Sequence, residues 1–481
     1  MPYPAYNDSG IPWLGAVPAH WDVLPVGAIG QLFKGNGGSK EDEVPFGVPC
    51  VRYGDLYTSH HSFISRARSF VTPERSATYT HIRFGDVLFA ASGETIEEIG
   101  KSAVNLIASD AVCGGDVLVL RPDHKFVPRF LGYAADATPT VHQKASTGRG
   151  FTVVHIYASQ LKRVVIAVPP LPEQDSIVRF LDHADRHIRC YIRAKQKLIK
   201  LLEEQKLAII HRAVTRGLDP GVRLKPSGVA WLGDVPEHWE VMRFKFVAAK
   251  IVDCLHATPR YSATGEFPAI RTADITPGTV HVSSARRVES DEYARWVERL
   301  EPSPGDILYS REGERFGIAA CVPEGVRLCI SQRMMVFRVH PEHNAVFVMW
   351  LLNSGQVYAQ AVQDVMGATA PHVNVSTIRN YFLAMPPRAE QDAVVAEIES
   401  QTGSFGHVIV AANREIVLLR EYRTRLIADV VTGKLDVREA AARLPEEVEE
   451  PESVDLTEGT EERGDDDDHP DFEIDPEGTE V

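Results

Sequence analysis

The chain has 481 residues, about three times the length of a typical domain, so two or more folded units are predicted rather than one. Its 44% hydrophobic and 24% charged residues exclude a disordered or fibrous protein. The net charge of −15 does not exclude DNA as a partner, because residues 445–481 contain 18 acidic residues and one basic residue, and the other 444 residues carry +2.

Cysteine usage and hydropathy indicate a cytoplasmic protein. The six cysteines form no C-x-x-C pair, which favours reduced thiols over disulfides or a zinc site. Residues 1–16 have no basic start and no apolar run, so no signal peptide is expected. Because no stretch approaches about 18 uninterrupted apolar residues, we expect no contact with a membrane.

A tryptophan motif near the start of the chain returns 218 residues later. Trp13-Leu-Gly-Ala-Val-Pro-Ala-His-Trp-Asp-Val23 recurs as Trp231-Leu-Gly-Asp-Val-Pro-Glu-His-Trp-Glu-Val241, with eight of eleven positions identical. Two further pairs, both at an offset of 217, are Val168-Pro-Pro-Leu-Pro-Glu-Gln-Asp175 with Met385-Pro-Pro-Arg-Ala-Glu-Gln-Asp392, and Val214-Thr-Arg-Gly-Leu-Asp219 with Val431-Thr-Gly-Lys-Leu-Asp436. Three motifs in one order at one spacing predict a unit of roughly 217 residues that is used twice.

Each repeat begins with a mixed region in which short apolar runs alternate with Gly, Pro and Asp. Runs rich in Val, Ile, Phe and Tyr predict strands at 85–91, 115–120, 164–168, 306–309 and 334–339. Helices are predicted at 127–135 and 346–361. This pattern favours an α+β domain of roughly 150 residues in each repeat.

A long helix follows each mixed region. Pro172 suits a first helical turn and the chain then lacks Gly and Pro until Gly217, so a helix of about 65 Å is predicted. The second copy runs from about 389 to 432, where Gly403 and Gly406 predict a kink or a frayed turn. The apolar residues predicted to pair the helices are Ile177, Leu181, Ile188, Leu198, Leu202, Ile209, Val408, Ile416, Leu419 and Leu426.

So narrow an apolar stripe buries little surface without a partner, so we expect the two helices to pack antiparallel and to hold the two domains at opposite ends of a rod. The alternative is that each helix packs on its own α+β domain. The first helix is also rich in exposed basic residues, which is typical of a solvated face and also suits an anionic neighbour. These residues are Arg186, Arg189, Arg193, Lys195, Lys197, Lys200 and Lys206.

One glycine-rich segment is a candidate for enzymatic chemistry. Phe33-Lys-Gly-Asn-Gly37 fits the F-x-G-x-G pattern of an adenosylmethionine loop, in which glycines let the backbone approach the cofactor. The accompanying Asn- or Asp-Pro-Pro-aromatic motif is missing, so a turn is the favoured interpretation. The pairs His60–His61 and His340–His343 lack further ligands, and no phosphate loop, zinc helix or nucleophile elbow occurs. We therefore assign no catalytic and no metal residues.

Polar segments at matching positions of the two repeats suit contacts with DNA. Residues 51–55 and 270–274 each place an arginine beside a strand, and arginine can contact guanine or phosphate in a bidentate manner. Residues 143–150 and 366–372 are matching glycine-rich loops, whose amides and hydroxyls suit phosphate. An ordinary surface turn is the alternative in each case. The candidate DNA-binding residues are Arg52, Tyr53, Lys144, Ser146, Thr147, Arg149, Arg271, Thr272, Arg311, Thr369 and His372.

In these motifs the chain resembles the specificity subunits of type I restriction-modification systems. The resemblance rests on the duplicated W-L-G-x-V-P-x-H-W-x-V motif, the Pro-Pro-x-x-Glu-Gln helix starts and the alternation of domain and long helix, and it extends to about Arg443. It implies an α+β fold with two similar target recognition domains separated by two long antiparallel helices, which form a coiled coil with pseudo-two-fold symmetry. The implied segments are a first domain at 1–168, a first helix at 169–218, a second domain at 219–385 and a second helix at 386–444. The acidic tail at 445–481 is not a required part of the family pattern, and its composition predicts disorder.

The resemblance also implies a function. Such a subunit is not catalytic; it reads a bipartite site in double-stranded DNA and docks two adenine-N6 methyltransferase (modification) subunits, and two restriction subunits can join them. It binds no cofactor itself, since adenosylmethionine belongs to the modification subunit and ATP and Mg to the restriction subunit. An internal two-fold repeat matches the approximate dyad of duplex DNA. Two alternatives stay open: a self-sufficient DNA methyltransferase that uses the segment at Phe33, and a scaffold that binds protein.

Overall fold

The computed structural model describes residues 2–38, 40–123, 126–150, 153–365 and 371–445. Thr369 and the acidic tail from residue 446 onward therefore lie outside the described residues. The chain divides into two compact units. Unit 1 contains the described residues up to Gln196 together with those from Asn413 onward, and unit 2 contains Lys197–Ala412.

Unit 1 is built on two sheets. The spatial order of strands in the larger sheet is Gly30–Lys34, Val117–Pro122, Val87–Ala90, Ser102–Asn105 and Ser62–Ile64. Neighbouring strands are antiparallel except for the last pair, which is parallel. The order in the smaller sheet is Ser69–Val71, Val48–Val51, Ala111–Cys113 and Thr80–Ile82. The central strands are fully buried runs of Val, Leu and Ala, as expected for strands covered on both faces.

Shorter elements complete unit 1. Its two-stranded sheets pair Asp22–Pro25 with Val165–Val168, Tyr6–Asp8 with Ala16–Pro18, and Ser92–Gly93 with Val154–His155. Its short helices are Val26–Ile29, Tyr53–Thr58, Pro73–Ser76, Pro128–Asp136, Thr138–Thr147 and Ala158–Leu161, with a 3-10 turn at Lys40–Asp42. The strands and the helix predicted for this repeat are present within two residues of their expected bounds.

Unit 2 repeats this plan with fewer strands. The larger sheet has the order Ala248–Asp253, Met334–Val339, Ile307–Ser310 and Ala319–Cys321, and the smaller sheet the order Arg287–Val288, Phe267–Ile270 and Cys329–Ile330. The two-stranded sheets pair Glu240–Arg243 with Phe382–Met385, Leu224–Pro226 with Asp234–Pro236, and Ile275–Thr276 with Thr279–Val280. The short helices are Phe244–Val247, Ser290–Val297, Ala345–Leu352, Gly355–Val365 and Val375–Arg379, with a 3-10 turn at Thr272–Asp274.

The single helix predicted at 346–361 is instead two helices, Ala345–Leu352 and Gly355–Val365. Asn353 ends the first of them, because its side-chain amide donates to the carbonyl of Met349 at 2.9 Å. The same amide donates to the carbonyl of Ala319 at 2.8 Å, which ties the helix end to the sheet. A polar side chain with partners in the neighbouring strand therefore overrides the apolar helical pattern.

The two long helices are Leu171–Arg216 and Arg388–Val431, and a short helix, Arg438–Ala442, follows the second. The second helix is continuous through Gly403 and Gly406, so the frayed turn predicted there was wrong. Residues 171–196 of the first helix belong to unit 1 and residues 197–216 to unit 2. The second helix is divided in the opposite order, with 388–412 in unit 2 and 413–431 in unit 1.

In unit 1 the halves of the two helices pack antiparallel, as predicted. Ion pairs join Asp185 to Arg423, and Lys195 to Glu415 at 2.7 Å, so positions that advance along one helix retreat along the other. The predicted pairing residues Ile177, Leu181, Ile188 and Leu426 are buried in the main apolar core of unit 1, and Leu419 packs against it. That core also contains residues of the sheet domain such as Phe130 and Trp21. Packing on the partner helix and packing on the helix's own domain thus occur together.

In unit 2 the predicted stripe is partly wrong. Leu198 is 39% exposed and Val408 is 43% exposed, and Leu202 and Ile209 are only half-buried. The buried residues are instead Ile210, Ala213, Val214, Val394 and Ile398, which share one core with Trp239 and Phe347. A straight helix has 3.6 residues per turn, so residues spaced by a 3.5-residue repeat move gradually around its surface. The face that is buried against the sheet domain therefore differs from the predicted stripe. Ile416, which belongs to unit 1, is buried as predicted.

The repeated sequence motifs contact each other in the same way in both units. In unit 1, His20 Nε2 lies 2.9 Å from a carboxylate oxygen of Glu173, at the start of the first long helix. In unit 2, His238 Nε2 lies 2.7 Å from the carboxylate of Glu390. The tryptophan motif and the Pro-Pro-x-x-Glu-Gln motif are therefore the two sides of one contact that is made twice.

The glutamine of the second motif connects each long helix to its domain. The side-chain oxygen of Gln174 accepts from the N–H of Val127 at 2.9 Å, and its amide donates at 2.9 Å to the carbonyl five residues earlier. Gln391 makes the same two bonds, to the N–H of Asn344 at 2.8 Å and to the carbonyl five residues earlier at 2.8 Å. Both side chains are almost fully buried, and buried amides need such partners because an unpaired one is costly.

Candidate nucleic-acid interface

The two predicted arginines occupy equivalent positions, each just before a short helical turn. The Asp55 carboxylate accepts from the backbone N–H of Arg52 at 3.0 Å, and the Asp274 carboxylate accepts from that of Arg271 at 2.9 Å. The guanidinium of Arg52 pairs with Glu43 at 2.9 Å, whereas that of Arg271 pairs with Asp274 at 3.0 Å. Both side chains are partly exposed, and their contact with DNA stays a prediction.

Their neighbours in the chain differ in exposure. Tyr53 is 43% exposed in the first turn of its helix, and Thr272 is half-buried in the 3-10 turn. These positions stay predictions for DNA contact.

The prediction of a loop at 143–150 was wrong, because most of this segment belongs to the helix Thr138–Thr147. Lys144 points into unit 1 and is 1% exposed. Its ammonium donates to the carbonyls of Gly100 at 2.7 Å and Ala135 at 3.0 Å. Burial lowers the pKa of Lys144 to about 8, and the nearby Asp136 opposes that shift. Lys144 therefore does not present a cation to a phosphate.

Two other predicted residues of this segment also belong to the helix. The hydroxyl of Ser146 donates to the carbonyl of Gln143 at 2.8 Å, and that of Thr147 donates to the carbonyl of Lys144 at 2.9 Å. Ser146 is exposed and Thr147 is half-buried. Their hydroxyls therefore already have backbone partners, although their oxygens can still accept a further bond.

Arg311 is a second predicted residue that lies in the interior. Its side chain is 3% exposed and pairs with Asp253 at 3.1 Å and with Glu312 at 2.7 Å. A buried guanidinium requires such carboxylates, because an unpaired buried charge is strongly unfavourable. Arg311 therefore organises unit 2 from within, and the outward group beside it is His372.

A small polar surface of unit 1, which we call edge 1, consists of Ser92–Gly93, Arg149 and 154–157. The strands Ser92–Gly93 and Val154–His155 pair antiparallel. The backbones of Arg149 and His155 exchange two hydrogen bonds, at 3.0 and 2.7 Å. The Ser92 hydroxyl lies 3.0 Å from Nδ1 of His155. Three chain segments thus bring the predicted Arg149 beside a histidine that was not predicted.

The equivalent surface of unit 2, edge 2, consists of 311–313 and 371–373. Backbone bonds join Gly313 to Pro371 at 2.9 Å and Val373 to Arg311 at 3.0 Å. The Glu312 carboxylate lies 3.0 Å from Nδ1 of His372, and Nη1 of Arg311 lies 3.3 Å from Nε2 of the same ring. Edge 2 therefore repeats the antiparallel backbone pairing of edge 1, with the charged Glu312 in place of the neutral Ser92 beside the histidine.

His155 is the residue that the sequence analysis missed, although a signal for it existed. It stands 217 residues before His372, which is the offset of the repeated motifs. Ser92 and Glu312, which hold the two rings, lie at nearly the same offset. Aligning the repeats residue by residue would have identified the pair.

The glycines at Phe33–Gly37 serve packing inside unit 1. A side chain at Gly35 would meet the carbonyl oxygen of Gly114 at 2.2 Å, and one at Gly37 would meet the ring of Tyr79 at 2.5 Å. The strand Gly30–Lys34 leads to the 3-10 turn Lys40–Asp42 rather than to a long helix. The turn interpretation therefore fits the structure, and the methyltransferase alternative loses its proposed cofactor loop.

Neither a cluster of metal ligands nor a membrane-spanning helix occurs in the described part of the chain. Within those residues, no three His, Cys, Asp or Glu side chains are grouped so that they could hold a metal ion. No helix in the described part of the chain is long and apolar enough to cross a membrane.

Comparison with known proteins gives one consistent result. A family profile described as the type I restriction modification DNA specificity domain matches residues 18–201. The chain is 20% identical over 438 residues to the type I restriction enzyme EcoKI specificity subunit of Escherichia coli K12, covering 88% of this chain and 90% of that protein. It is also 20% identical over 441 residues to the MjaVIII specificity subunit of Methanocaldococcus jannaschii, covering 88% and 94%.

A solved structure shares the fold. Its description reads "structural basis underlying complex assembly and conformational transition of the type I R-M system". One of its chains aligns with this chain with a TM-score of 0.62 at 18% sequence identity. The alignment covers 87% of this chain and 99% of that chain. The matched domain and the relatives that align over most of their length show that the chain is similar to type I restriction enzyme specificity subunits, and the solved structure shows that it shares their fold.

Proposed function

We propose that this chain is the sequence-specific DNA-binding subunit of a type I restriction-modification complex and that it reads a bipartite site. Unit 1 reads one half of the site through edge 1 and the turn at Arg52. Unit 2 reads the other half through edge 2 and the turn at Arg271. The chain carries out no chemistry itself.

A single observation carries this proposal: the two units share their internal contacts and differ at their polar edges. The His–Glu and Gln–backbone contacts recur with nearly the same distances. At the edges, by contrast, the neutral pair Ser92–His155 is replaced by Glu312–His372. Conserved geometry with different hydrogen-bonding groups is what two readers of different base sequences require, because bases are distinguished by their donor and acceptor patterns.

The modification subunits dock on exposed apolar side chains of the long helices. In unit 1, Tyr191 is 62% exposed and Leu418 is 54% exposed; in unit 2, Val408 is 43% exposed and Leu201 is 52% exposed. Each residue of the first helix stands 217 positions before its counterpart in the second. Apolar side chains left exposed in clusters are typical of protein interfaces, and two equivalent surfaces suit two copies of the same partner.

The remaining chemistry is supplied by the partners. Adenosylmethionine is held by the modification subunits, which methylate adenine N6 within the site that this chain selects. Restriction subunits, where two of them join the complex, supply ATP- and Mg-dependent activity. The chain itself binds no cofactor in this scheme.

Substitution of the two equivalent arginines tests the assignment of one half-site to each unit. The complex with its modification subunits is expected to methylate adenine in a motif of two defined halves and an indifferent gap, which methylation-aware sequencing of the host genome detects. Arg52→Ala is expected to relax or weaken one half only and Arg271→Ala the other, by about 1–3 kcal/mol each if a base contact is lost.

Three results would contradict the proposal. The first is methylation without a bipartite motif, and the second is a free chain that methylates DNA without partners. The third is an equal loss of methylation on all DNA sequences with both arginine variants. It would mean that these residues contact only phosphate, so that their removal lowers affinity without changing base choice.

A further inference from the structure

The ring of His155 is held in place by unit 1 on one side. Its backbone forms two hydrogen bonds with Arg149, and its Nδ1 lies 3.0 Å from the hydroxyl of Ser92. Ser92 in turn belongs to a strand paired with the strand that contains His155. These contacts come from two different segments of the chain, so they restrict both the position and the rotation of the ring.

The other ring nitrogen of His155 is unbonded in the described part of the chain. Among the described residues, Nε2 of His155 has no hydrogen-bond partner, and the side chain is half-buried at edge 1. A neutral imidazole with one nitrogen engaged offers the other as a donor or an acceptor, depending on the tautomer. Both kinds of group read base edges in the major groove.

The surroundings of the ring also suit DNA. Tyr157 is 58% exposed, and its ring centroid lies 6.5 Å from that of His155. Arg149 is exposed on the adjoining backbone. An aromatic surface and a cation next to a fixed polar ring combine contacts to a base with a contact to phosphate.

The equivalent ring in unit 2 is occupied on both sides. The carboxylate of Glu312 can only accept, so the nearby Nδ1 of His372 carries the proton and Nε2 accepts from Arg311 at 3.3 Å. The same position of the fold therefore carries, among the described residues, a ring with one unbonded nitrogen in unit 1 and an exposed ring tied to Glu312 and Arg311 in unit 2.

We propose that His155 is a specificity-determining residue, which contacts a base edge through Nε2, and that Ser92 is its positioning residue. This inference rests on the proposed function and refines it for the half-site of unit 1. A contact made by one fixed ring reads one base position, so the expected change is confined to a single position of one half-site.

The test uses the full chain in complex with its modification subunits, with genome-wide mapping of methylated adenine as the readout. His155→Ala is expected to relax base choice at one position of one half-site on the order of tenfold. Ser92→Ala is expected to relax base choice at the same position to a smaller extent, because the ring of His155 stays but can rotate. His142→Ala is the matched control: His142 is exposed in unit 1 and packs beside Trp13, and its loss is expected to leave base choice unchanged.

Unchanged base choice in the His155→Ala complex would overturn the inference, and so would a loss of methylation that is equal on all sequences. If the alanine variant fails to assemble, His155→Asn keeps a hydrogen-bonding group and is expected to change base preference at that position; an unaltered preference overturns the inference. A wild-type complex that methylates no bipartite motif would instead refute the proposed function.

Discussion

At the scale of single residues, Lys144 marks a position where the interiors of the two repeats differ. Lys144 is buried in unit 1 and Asp136 is half-buried near it; desolvation lowers the pKa of Lys144 to about 8 and raises that of Asp136. The equivalent residues in unit 2, at the offset of 217, are the uncharged Ala361 and Asn353. The same fold therefore tolerates a charged pair in one repeat and a neutral pair in the other.

Removing one charge of this pair tests its role. Lys144→Met is expected to lower the free energy of unfolding by about 3 kcal/mol, because it removes a charge that offsets Asp136 and leaves the carbonyls of Gly100 and Ala135 without their donor. The double variant Asp136→Asn, Lys144→Met makes these two positions of unit 1 uncharged, as their equivalents in unit 2 are. It is expected to recover part of the lost free energy of unfolding. Urea denaturation midpoints measure both; a double variant no more stable than the single one would argue against the charge explanation.

At the scale of secondary-structure elements, the long helices bury a different stripe from the one that a heptad predicts. Leu426 is 8% exposed within the core of unit 1, whereas Leu198 is 39% exposed. Both leucines were predicted as pairing residues on the same sequence pattern. The difference arises because the helix halves pack on their domains as well as on each other, so the domain surface selects the buried face.

The two leucines form a matched pair for an experiment. Leu426→Ala is expected to cost about 2–4 kcal/mol of unfolding free energy, because it opens a cavity in the core. Leu198→Ala is expected to stay within about 0.5 kcal/mol, as for other exposed positions. Equal losses in thermal or urea denaturation would mean that Leu198 is buried in the protein in solution.

At the scale of the whole molecule, five thiols are shielded from solvent in the same way. Burial raises the pKa of Cys50 and Cys254 to about 11, and that of Cys113, Cys321 and Cys329 to about 12, from an ordinary value of 9. Both units contain such residues, so the effect belongs to the molecule as a whole.

These thiols predict a loss of stability in alkaline solution. Below pH 9 they are protonated in both the folded and the unfolded chain; above pH 9 the unfolded thiols ionise while the folded ones stay protonated. The free energy of unfolding is therefore expected to fall as the pH rises from 9 to 11, by up to about 1.4 kcal/mol per pH unit for each thiol. Lys144 increases the free energy of unfolding as the pH rises from about 8 to 10.5, because its pKa is lowered in the folded chain. This is one group, whereas five thiols act in the opposite direction.

The measurement is a series of urea denaturation curves from pH 8 to 10.5 under reducing conditions. The free energy of unfolding of the Cys113→Ala variant is expected to fall less steeply with pH than that of the wild type, because one ionising group has been removed. Cys190, which is exposed, provides the control: Cys190→Ala is expected to leave the slope unchanged. A wild-type stability that is level or rising over this range would contradict the prediction.

Local pattern was sufficient for much of the architecture. The duplication, the α+β class of each repeat, the strands around Val87 and Met334 and the two long helices all follow from residue spacing within short windows or from comparing one half of the chain with the other. Burial could not be obtained in this way, because it depends on residues far apart in the chain. Lys144 can be internal because the carbonyl of Gly100, 44 residues earlier, accepts a hydrogen bond from its ammonium.

The chain sequence by itself therefore determined that this protein is a repeated pair of α+β domains with helical connections, since repeats and helical periods are encoded in order along the chain. Only the tertiary structure decided which polar residues face outward. Arg311 is internal because Asp253 lies beside it, and His155 is placed at an edge because Ser92, 63 residues earlier, holds its ring. The physical reason is that the cost of burying a charge, and the partner that offsets it, are set by contacts that form only when distant segments meet.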